Sequence, residues 1–97
     1  MRVTVRFFTS LREIVDKKEE TLNFPITEKV TINLVLETLA QRYGEPFVKY
    51  LYNSDTGEVR GFLQLLINGQ SAATLKGLHT ELRDGDVLAI LPPVGGG

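Results

Sequence analysis

The stretch from Thr31 to Gly44 carries the one clear helical pattern of this 97-residue chain, and it limits the folds that the chain can adopt. Thr31 is a suitable N-cap, and Gly44 offers a C-terminal stop. Between them, apolar residues recur at helical spacing and form one stripe: Ile32, Val35, Leu36, Leu39, Ala40 and Tyr43. A helix with a single apolar face buries that face against another layer of secondary structure.

The other readable segments have an apolar period of two, which is typical of β-strands. They are residues 2–8, 20–26, 62–67, 70–73 and 87–91. The inward positions of the first two are Val3, Val5, Phe7, Leu22, Phe24 and Ile26. These two strands are expected to pair antiparallel.

Turn signals connect the strands. Ser10 is expected to cap a short helical turn that runs to Val15. Asn68-Gly69 is a strong type I′ hairpin signal, and Asp84-Gly85-Asp86 predicts the turn into the last strand. Residues 45–61 have no clear period, and their structure stays open at this point.

The order of these elements predicts an α+β fold in which one main helix packs on one sheet. The helical stretch is long enough to cross over the sheet, so the first and last strands can lie parallel in its centre. That arrangement is the β-grasp, with a mixed sheet of about four to five strands. We expect one domain over residues 1–97, with an extended tail at 92–97.

Composition excludes several classes of protein. Eleven basic and twelve acidic side chains give a net charge of −1, and no basic run indicates nucleic-acid binding. Cysteine is absent, which excludes a thiol nucleophile, a thiolate metal site and a disulfide framework. No signal peptide is visible, and no apolar run approaches the ~18 residues of a membrane helix. We therefore expect no membrane partner and a cytoplasmic location.

A self-contained active site is not visible in the sequence. His79 is the single histidine and lies in a polar loop, where a surface role is usual. Asp84 and Asp86 flank a turn glycine without the other ligands of a calcium loop. The three serines lie in no nucleophile-elbow context. We predict no metal site and no catalysis by the chain alone.

The chain ends in Leu91-Pro92-Pro93-Val94-Gly95-Gly96-Gly97, and this tail has the clearest chemical potential. The two prolines stop the last strand and hold the chain extended. The three glycines lack Cβ atoms, so they can pass through a channel too narrow for other residues. Such a tail would place its carboxylate inside a partner's active site. The alternative is a glycine tail without a function.

Strand parity predicts an apolar surface beside this tail. If the residues next to them in sequence face the helix, then Phe8, Leu66 and Leu91 point to the opposite side of the sheet. Together they would form a surface on which a partner protein docks. The alternative is a small second core, in which Phe47 and Tyr50 cover part of that side.

Several short motifs, taken in order, resemble one known family. They are Val5-Arg6-Phe7-Phe8, Leu11-Arg12-Glu13, Ile67-Asn68-Gly69, Leu82-Arg83-Asp84-Gly85-Asp86-Val87, and Pro92-Pro93-Val94 before Gly96-Gly97. Over nearly its whole length the sequence is similar to the MoaD/ThiS family of ubiquitin-like sulfur carriers. Within that family it is most similar to MoaD, the small subunit of molybdopterin synthase. Gly95 and the long 45–61 segment depart from the family pattern.

This resemblance implies a ubiquitin-like β-grasp protein that carries sulfur for the molybdenum or tungsten pterin cofactor. A MoeB-like, ubiquitin-activating-type adenylyltransferase would use ATP to adenylate Gly97, which a sulfur donor would convert to a thiocarboxylate. Gly95 and Gly96 would give the tail its reach. The implied partner-binding residues are Phe8, Leu66, Leu91, Pro92 and Pro93. A MoaE-like large subunit would supply the catalytic groups, and the chain itself would hold no cofactor.

The same tail suits other functions. One is sulfur transfer to thiazole or to transfer RNA. Another is a ubiquitin-like modifier whose Gly97 is joined to lysines of target proteins. A third is a β-grasp binding module with an inert tail.

Overall fold

The computed structural model describes residues 1–61 and 63–92, which form three α-helices and five strands. The strands are β1 (Arg2–Phe7), β2 (Glu19–Asn23), β3 (Gln64–Ile67), β4 (Gln70–Ser71) and β5 (Asp86–Leu91). The helices are α1 (Thr9–Val15), α2 (Ile32–Tyr43) and α3 (Glu45–Leu51), with 3₁₀ turns at Ala72–Thr74 and Gly77–His79. None of these helices has the length and apolar character needed to cross a membrane.

The strands form one mixed sheet in the order β2-β1-β5-β3-β4. β1 and β5 pair in parallel at its centre, where Val5 lies opposite Leu88. The other neighbouring strands of this sheet pair antiparallel. A parallel pair needs a long crossover connection, and the segment that contains α2 supplies it. The predicted α+β architecture and its central parallel pair are therefore confirmed.

The ends of α2 are set by the residues that the sequence predicts. The hydroxyl of Thr31 accepts a hydrogen bond from the Leu34 amide at 3.2 Å. Gly44 ends the helix with a φ of 75°, a value that favours glycine. The Gly44 amide also donates a hydrogen bond to the carbonyl of Ala40. Both predicted helix ends are confirmed.

The apolar stripe of α2 and the inward face of the sheet enclose the core. Fully buried members include Val3, Val5, Phe7, Ile32, Val35, Leu36, Leu39 and Leu88. On the scale of about 1.5–3 kcal/mol for each large apolar side chain removed from water, this layer dominates the stability of the fold.

Residues 45–61, whose structure the sequence left open, add a second helix to the same side. α3 has a proline in its first turn, and its Phe47 and Leu51 are fully buried. The Phe47 ring lies 6.0 Å from that of Tyr43, centroid to centroid. Beyond α3, a bridge between Tyr52 and Val59 closes an exposed loop. The segment therefore thickens the helical layer.

Several predicted boundaries are wrong. The first strand ends at Phe7 and not at residue 8, and the return strand predicted at 70–73 ends at Ser71, because a 3₁₀ turn begins at Ala72. The second strand ends at Asn23, and Ile26 is 90% exposed, because Pro25 lacks the amide that would continue the ladder. Ser10 is not a cap, since α1 begins at Thr9 and Phe8 occupies the N-cap position. The error in the second strand extends the period of two past Pro25, whereas α1 begins before the predicted cap.

The predicted turns form as expected and join both halves of the sheet. Asn68 and Gly69 have φ values of 50° and 87°, as a type I′ hairpin requires. In the turn before β5, Gly85 has a φ of 88°. A carboxylate oxygen of Asp84 accepts a hydrogen bond from the Arg2 amide at 2.7 Å. Asp86 accepts another from the Asn68 side chain at 3.0 Å.

Among the described residues, one buried charged side chain lies on the inward face of the sheet. The Glu20 side chain of β2 is 6% exposed, and its carboxylate contacts the Tyr43 hydroxyl and the Arg42 guanidinium. Lys17 adds an ion pair at 3.3 Å. The carboxylate thus joins β2 to the C-terminal end of α2 and to the turn after α1.

Candidate functional site

The side of the sheet opposite the helices brings apolar residues of three strands together. β5 lies between β1 and β3, and Ala89 pairs with Arg6 on one side and Leu66 on the other. Two residues further on, Leu91 ends β5, and Phe8 directly follows the last residue of β1. Because side chains alternate along a strand, these residues share the outer face.

The apolar residues of this face, here called the outer-face patch, are Phe8, Leu66, Val87, Ala89 and Leu91. Each of them is partly exposed. Together with Arg6, Asn68 and Gly69 they line a shallow depression of about 430 Å³. Ala89 lies between the longer side chains of Arg6 and Leu66, so its single methyl group leaves the surface low there.

The helical layer packs against the other side of the sheet. Phe7 and Leu88, which alternate with patch residues along their strands, are 0% exposed. The alternative of a second core beneath residues 45–61 is wrong, because Phe47 is fully buried in the main core and Tyr50 packs against that core. The outer-face patch is therefore an open surface in the described part of the chain.

The backbone beside the patch is locally unfavourable. Phe8 occupies the N-cap position of α1, and no side chain makes a capping hydrogen bond there. Thr9 has a φ of 46°, which is unusual for a β-branched residue. A missing cap and a strained residue each cost about 1 kcal/mol, and such costs concentrate at functional sites. This chain keeps an aromatic side chain on its surface where a polar cap would stabilise the helix.

Two arginines flank the aromatic ring at this position. The guanidinium carbon of Arg6 lies 5.7 Å from the centre of the Phe8 ring. That of Arg12 lies 5.8 Å from the same centre, and its Nε donates a long hydrogen bond of 3.4 Å to the Phe7 carbonyl. Both distances are within the range of cation–π attraction.

The predicted tail begins at the edge of the patch. β5 ends at Leu91, and Pro92 follows it partly buried. Pro93 and the glycines Gly95, Gly96 and Gly97 lie outside the described residues, so their predicted roles stay predictions. The outer-face patch and the start of the tail are thus separated by no intervening segment.

Residues elsewhere offer little chemistry. His79 is exposed at the end of a 3₁₀ turn. The described residues hold no group of three acidic or histidine side chains placed to bind a metal ion. Burial, with a smaller contribution from Glu37, raises the pKa of Tyr52. A hydrogen bond from Lys29 lowers the pKa of Glu81. Neither of these two groups lines the patch depression.

Sequence reasoning identified three patch residues and placed Val87 and Arg6 on the same outer side, but it did not include either of them in the site. Parity pointed to Phe8, Leu66 and Leu91, and the structure brings all three into one depression. The role of Ala89 as its low centre had no sequence signal, because alanine suits either face. The clustering of Arg6 with Phe8 was visible as a spacing of two in β1, and Arg12 needed the position of α1.

Comparison with known proteins decides the family. The sequence profile of the ThiS family matches residues 5–97, which is nearly the whole chain. The chain belongs to the ThiS family. With the β-grasp sheet and its open apolar face, this membership makes it a ubiquitin-like protein of the sulfur-carrier or modifier type.

Two curated proteins illustrate the relationship. Small archaeal modifier protein 3 of Haloferax volcanii is 32% identical over 97 residues, covering 100% of both chains. A provisionally named sulfur carrier protein of Archaeoglobus fulgidus is 37% identical over 70 residues, which are 72% of this chain and 77% of that protein.

Solved structures share the same fold. Small archaeal modifier protein 1 of Methanosarcina acetivorans aligns with a TM-score of 0.81 at 33% identity, covering 99% of this chain and 96% of that one. A provisionally named molybdopterin converting factor subunit 1 of Pyrococcus furiosus gives a TM-score of 0.73 at 26% identity, with coverages of 97% and 99%. A chain of the BexX/CysO complex of Amycolatopsis orientalis gives 0.71 at 25% identity, with coverages of 98% and 99%.

Proposed function

We propose that this protein is a sulfur carrier whose Gly97 is adenylated and thiocarboxylated, and that it serves as the small subunit of molybdopterin synthase. The observation that carries the proposal is the open outer-face patch at the point where β5 ends and the tail begins. A partner that binds the patch would hold the tail at a fixed distance from its own active site.

The chemistry follows from the reactivity of carboxylic acids. A carboxylate is a poor electrophile, so an oxygen of the Gly97 carboxylate first attacks the α-phosphorus of ATP and pyrophosphate leaves. The acyl-adenylate has AMP as a good leaving group. Hydrosulfide, delivered by a sulfur donor, then replaces AMP at the acyl carbon. The resulting thiocarboxylate carries a nucleophilic sulfur.

The protein's contribution is positioning. In this proposal the patch residues Phe8, Leu66 and Leu91 contact a MoeB-like activating enzyme and then a MoaE-like large subunit. Pro92 and Pro93 keep the chain extended, and Gly95 and Gly96 allow it to enter a narrow channel. Holding the reacting group in place converts an encounter into an effectively intramolecular step, which removes much of its entropic cost.

Two observations support the pterin destination. The sequence motifs resemble MoaD most closely, and the structure named as a molybdopterin converting factor subunit superposes over nearly the whole chain. The BexX/CysO complex contains a similar chain together with a second protein, which supports a function that depends on partners.

A second candidate is protein conjugation. It is favoured by the Haloferax volcanii relative, which carries the name of a modifier and is 32% identical over its full length. In that function the activated Gly97 would form an isopeptide bond with a lysine of another protein. The patch and the tail would be used in the same way until the acyl group is transferred.

Intact-mass spectrometry tests the sulfur-carrier proposal directly. The chain is incubated with ATP, the activating enzyme encoded in its genome and a sulfide source. We expect a mass increase equal to the replacement of one oxygen by sulfur, and no increase for a variant that lacks Gly97. An unchanged mass with an enzyme that releases pyrophosphate in the presence of the chain would refute sulfur transfer.

The two destinations are separated by their products. With purified large subunit and a pterin precursor, the thiocarboxylated chain should lose its sulfur and return to the original mass. Conjugation instead predicts peptides of residues 84–97 attached to lysines of other proteins after trypsin digestion, because Arg83 is the last basic residue before Gly97. Such peptides without any sulfur transfer to the pterin would establish the modifier as the correct function.

A further inference from the structure

We propose that the surface formed by Arg6, Phe8 and Arg12 binds carboxylate side chains of the partner protein, placed beside apolar residues that fill the Ala89 depression. This inference rests on the proposed function, because it describes the partner that the outer-face patch receives. It adds the charge of the partner, which an apolar patch alone does not define.

The first support is the set of contacts that the two guanidinium groups make. Both lie within 5.8 Å of the Phe8 ring centre. Neither has an Asp or Glu oxygen within 4.0 Å among residues 1–61 and 63–92. Each is exposed, and Arg6 also lines the depression. Two positive charges therefore lie next to the patch without a carboxylate of this part of the chain to neutralise them.

Four other cations of the described residues do form ion pairs with carboxylates. Lys17 and Arg42 pair with Glu20, Lys29 pairs with Glu81, and Lys49 pairs with Glu45. The chain has twelve acidic residues, so carboxylates are not scarce. Arg6 of β1 lies opposite Glu19 of β2 in the sheet register. The two side chains nevertheless form no ion pair. The local sequence thus offers a partner that Arg6 does not engage.

A position beside an aromatic ring prepares an arginine for an interface. The planar guanidinium is weakly hydrated, and contact with the ring limits the rotamers that must be ordered on binding. A guanidinium can donate two parallel hydrogen bonds to a carboxylate. At the edge of an apolar contact, water is partly excluded and such a pair is stronger than on an open surface.

The occupant is therefore a protein surface with an apolar centre and an acidic border. Its apolar residues would cover the outer-face patch, and its Asp or Glu side chains would meet Arg6 and Arg12. Opposite charges at the border speed association and exclude partners with basic borders more than they raise the final affinity.

The test measures binding of two purified probes encoded in the same genome, the activating enzyme and the large synthase subunit. Dissociation constants are measured by calorimetry for the wild type, Arg6→Glu, Arg6→Lys and Arg12→Glu. We expect Arg6→Glu and Arg12→Glu each to weaken binding of at least one probe by roughly tenfold or more, with a smaller effect for Arg6→Lys. Wild-type affinity should fall between about 0.05 and 0.5 M salt.

Arg83→Glu is the matched control, because it makes the same change in net charge at an exposed residue before the start of β5. Circular dichroism checks that each variant is folded. If Arg6→Glu does not fold, Arg12→Glu still tests the proposal. An Asp or Glu to Arg change in the probe should restore binding of Arg6→Glu. That rescue would identify the carboxylate.

Three results would overturn the proposal. They are equal effects of Arg6→Glu, Arg12→Glu and Arg83→Glu, no binding of the wild type to either probe, or a wild-type homodimer that Arg6→Glu dissociates. The mass assay reports the proposed function separately. Charge-sensitive binding without a thiocarboxylate refutes sulfur transfer alone, whereas a thiocarboxylate with charge-insensitive binding refutes the acidic border alone.

Discussion

Phe7 and Phe8 are neighbours in sequence, yet they lie on opposite sides of the sheet and have different roles. Phe7 is fully buried and packs edge-on against Tyr43, with the ring centres 6.3 Å apart. Phe8 is partly exposed and is flanked by two arginines. The inner face is built to hold the fold together, whereas the outer face keeps an aromatic ring at a helix cap where it weakens the fold.

The largest expected effect is on stability, when a core residue of the inner face is removed. Phe7→Ala should lower the free energy of unfolding by about 3–5 kcal/mol, because it removes a fully buried ring and leaves a cavity. The measurement is chemical denaturation, with Phe8→Ala as the control. We expect Phe8→Ala to cost about 1 kcal/mol or less. Equal losses for the two variants would contradict the division of labour between the faces.

A polar residue tests whether the inner face depends only on apolar packing. Glu20→Ala should cost about 2 kcal/mol, because it leaves the Tyr43 hydroxyl and the Arg42 guanidinium without their shared acceptor. The neighbouring Glu19→Ala, at an exposed position, should change stability by less than about 0.5 kcal/mol. Urea denaturation of both variants makes the comparison. A Glu20→Ala protein with the same free energy of unfolding as the wild type would mean that this carboxylate adds nothing to the stability of the core.

The outer face is tested by separating stability from binding. Phe8→Asp places a good capping residue at the start of α1 and removes the aromatic contacts with Arg6 and Arg12. These changes oppose one another, so we expect stability within about 1 kcal/mol of the wild type. Binding to the activating enzyme should be lost. Leu66→Asp, away from the helix cap, should also lose binding while remaining folded, and wild-type affinity in either folded variant would refute the patch.

The smallest expected effect concerns the loop that follows α3. The pKa of Tyr52 is raised from 10.0 by burial and by Glu37, so above that pH the unfolded chain ionises first. Stability should therefore decline as the pH rises from 10.0 through the pKa of the folded state. Tyr52→Phe should decline less over the same range. Parallel denaturation curves for the two proteins would show that the Tyr52 hydroxyl is not buried by the helical layer.

Local sequence signals were sufficient to predict the structure where a residue type has one dominant physical role. Thr31 and Gly44 set the ends of α2, and Asn68-Gly69 adopted the positive φ values of its turn, as predicted. The central parallel pair followed from the length of the crossover. Parity placed Phe8, Leu66 and Leu91 on one face, because a strand alternates its side chains without regard to the rest of the fold.

Other features depend on contacts between distant parts of the chain. Phe47 and Leu51 lie at helical spacing, but seven residues are too few for that spacing to distinguish a helix from a packed turn. The helix becomes evident only through its burial against α2. Arg12 joins the outer face because α1 turns back beside Phe8, a direction that local sequence does not encode. Gly97 and its neighbours stay predictions at this stage.

The central position of β5 has a consequence for synthesis of the protein. Residues 86–91 form the last strand of the chain, yet β1 and β3 both pair with them. During translation the first strand therefore waits for nearly the whole chain to emerge before its parallel neighbour arrives. Val87, Ala89 and Leu91 complete the outer surface at the same moment. A fragment that ends before β5 lacks three of the five patch residues, so a partner that binds this surface would discriminate against it.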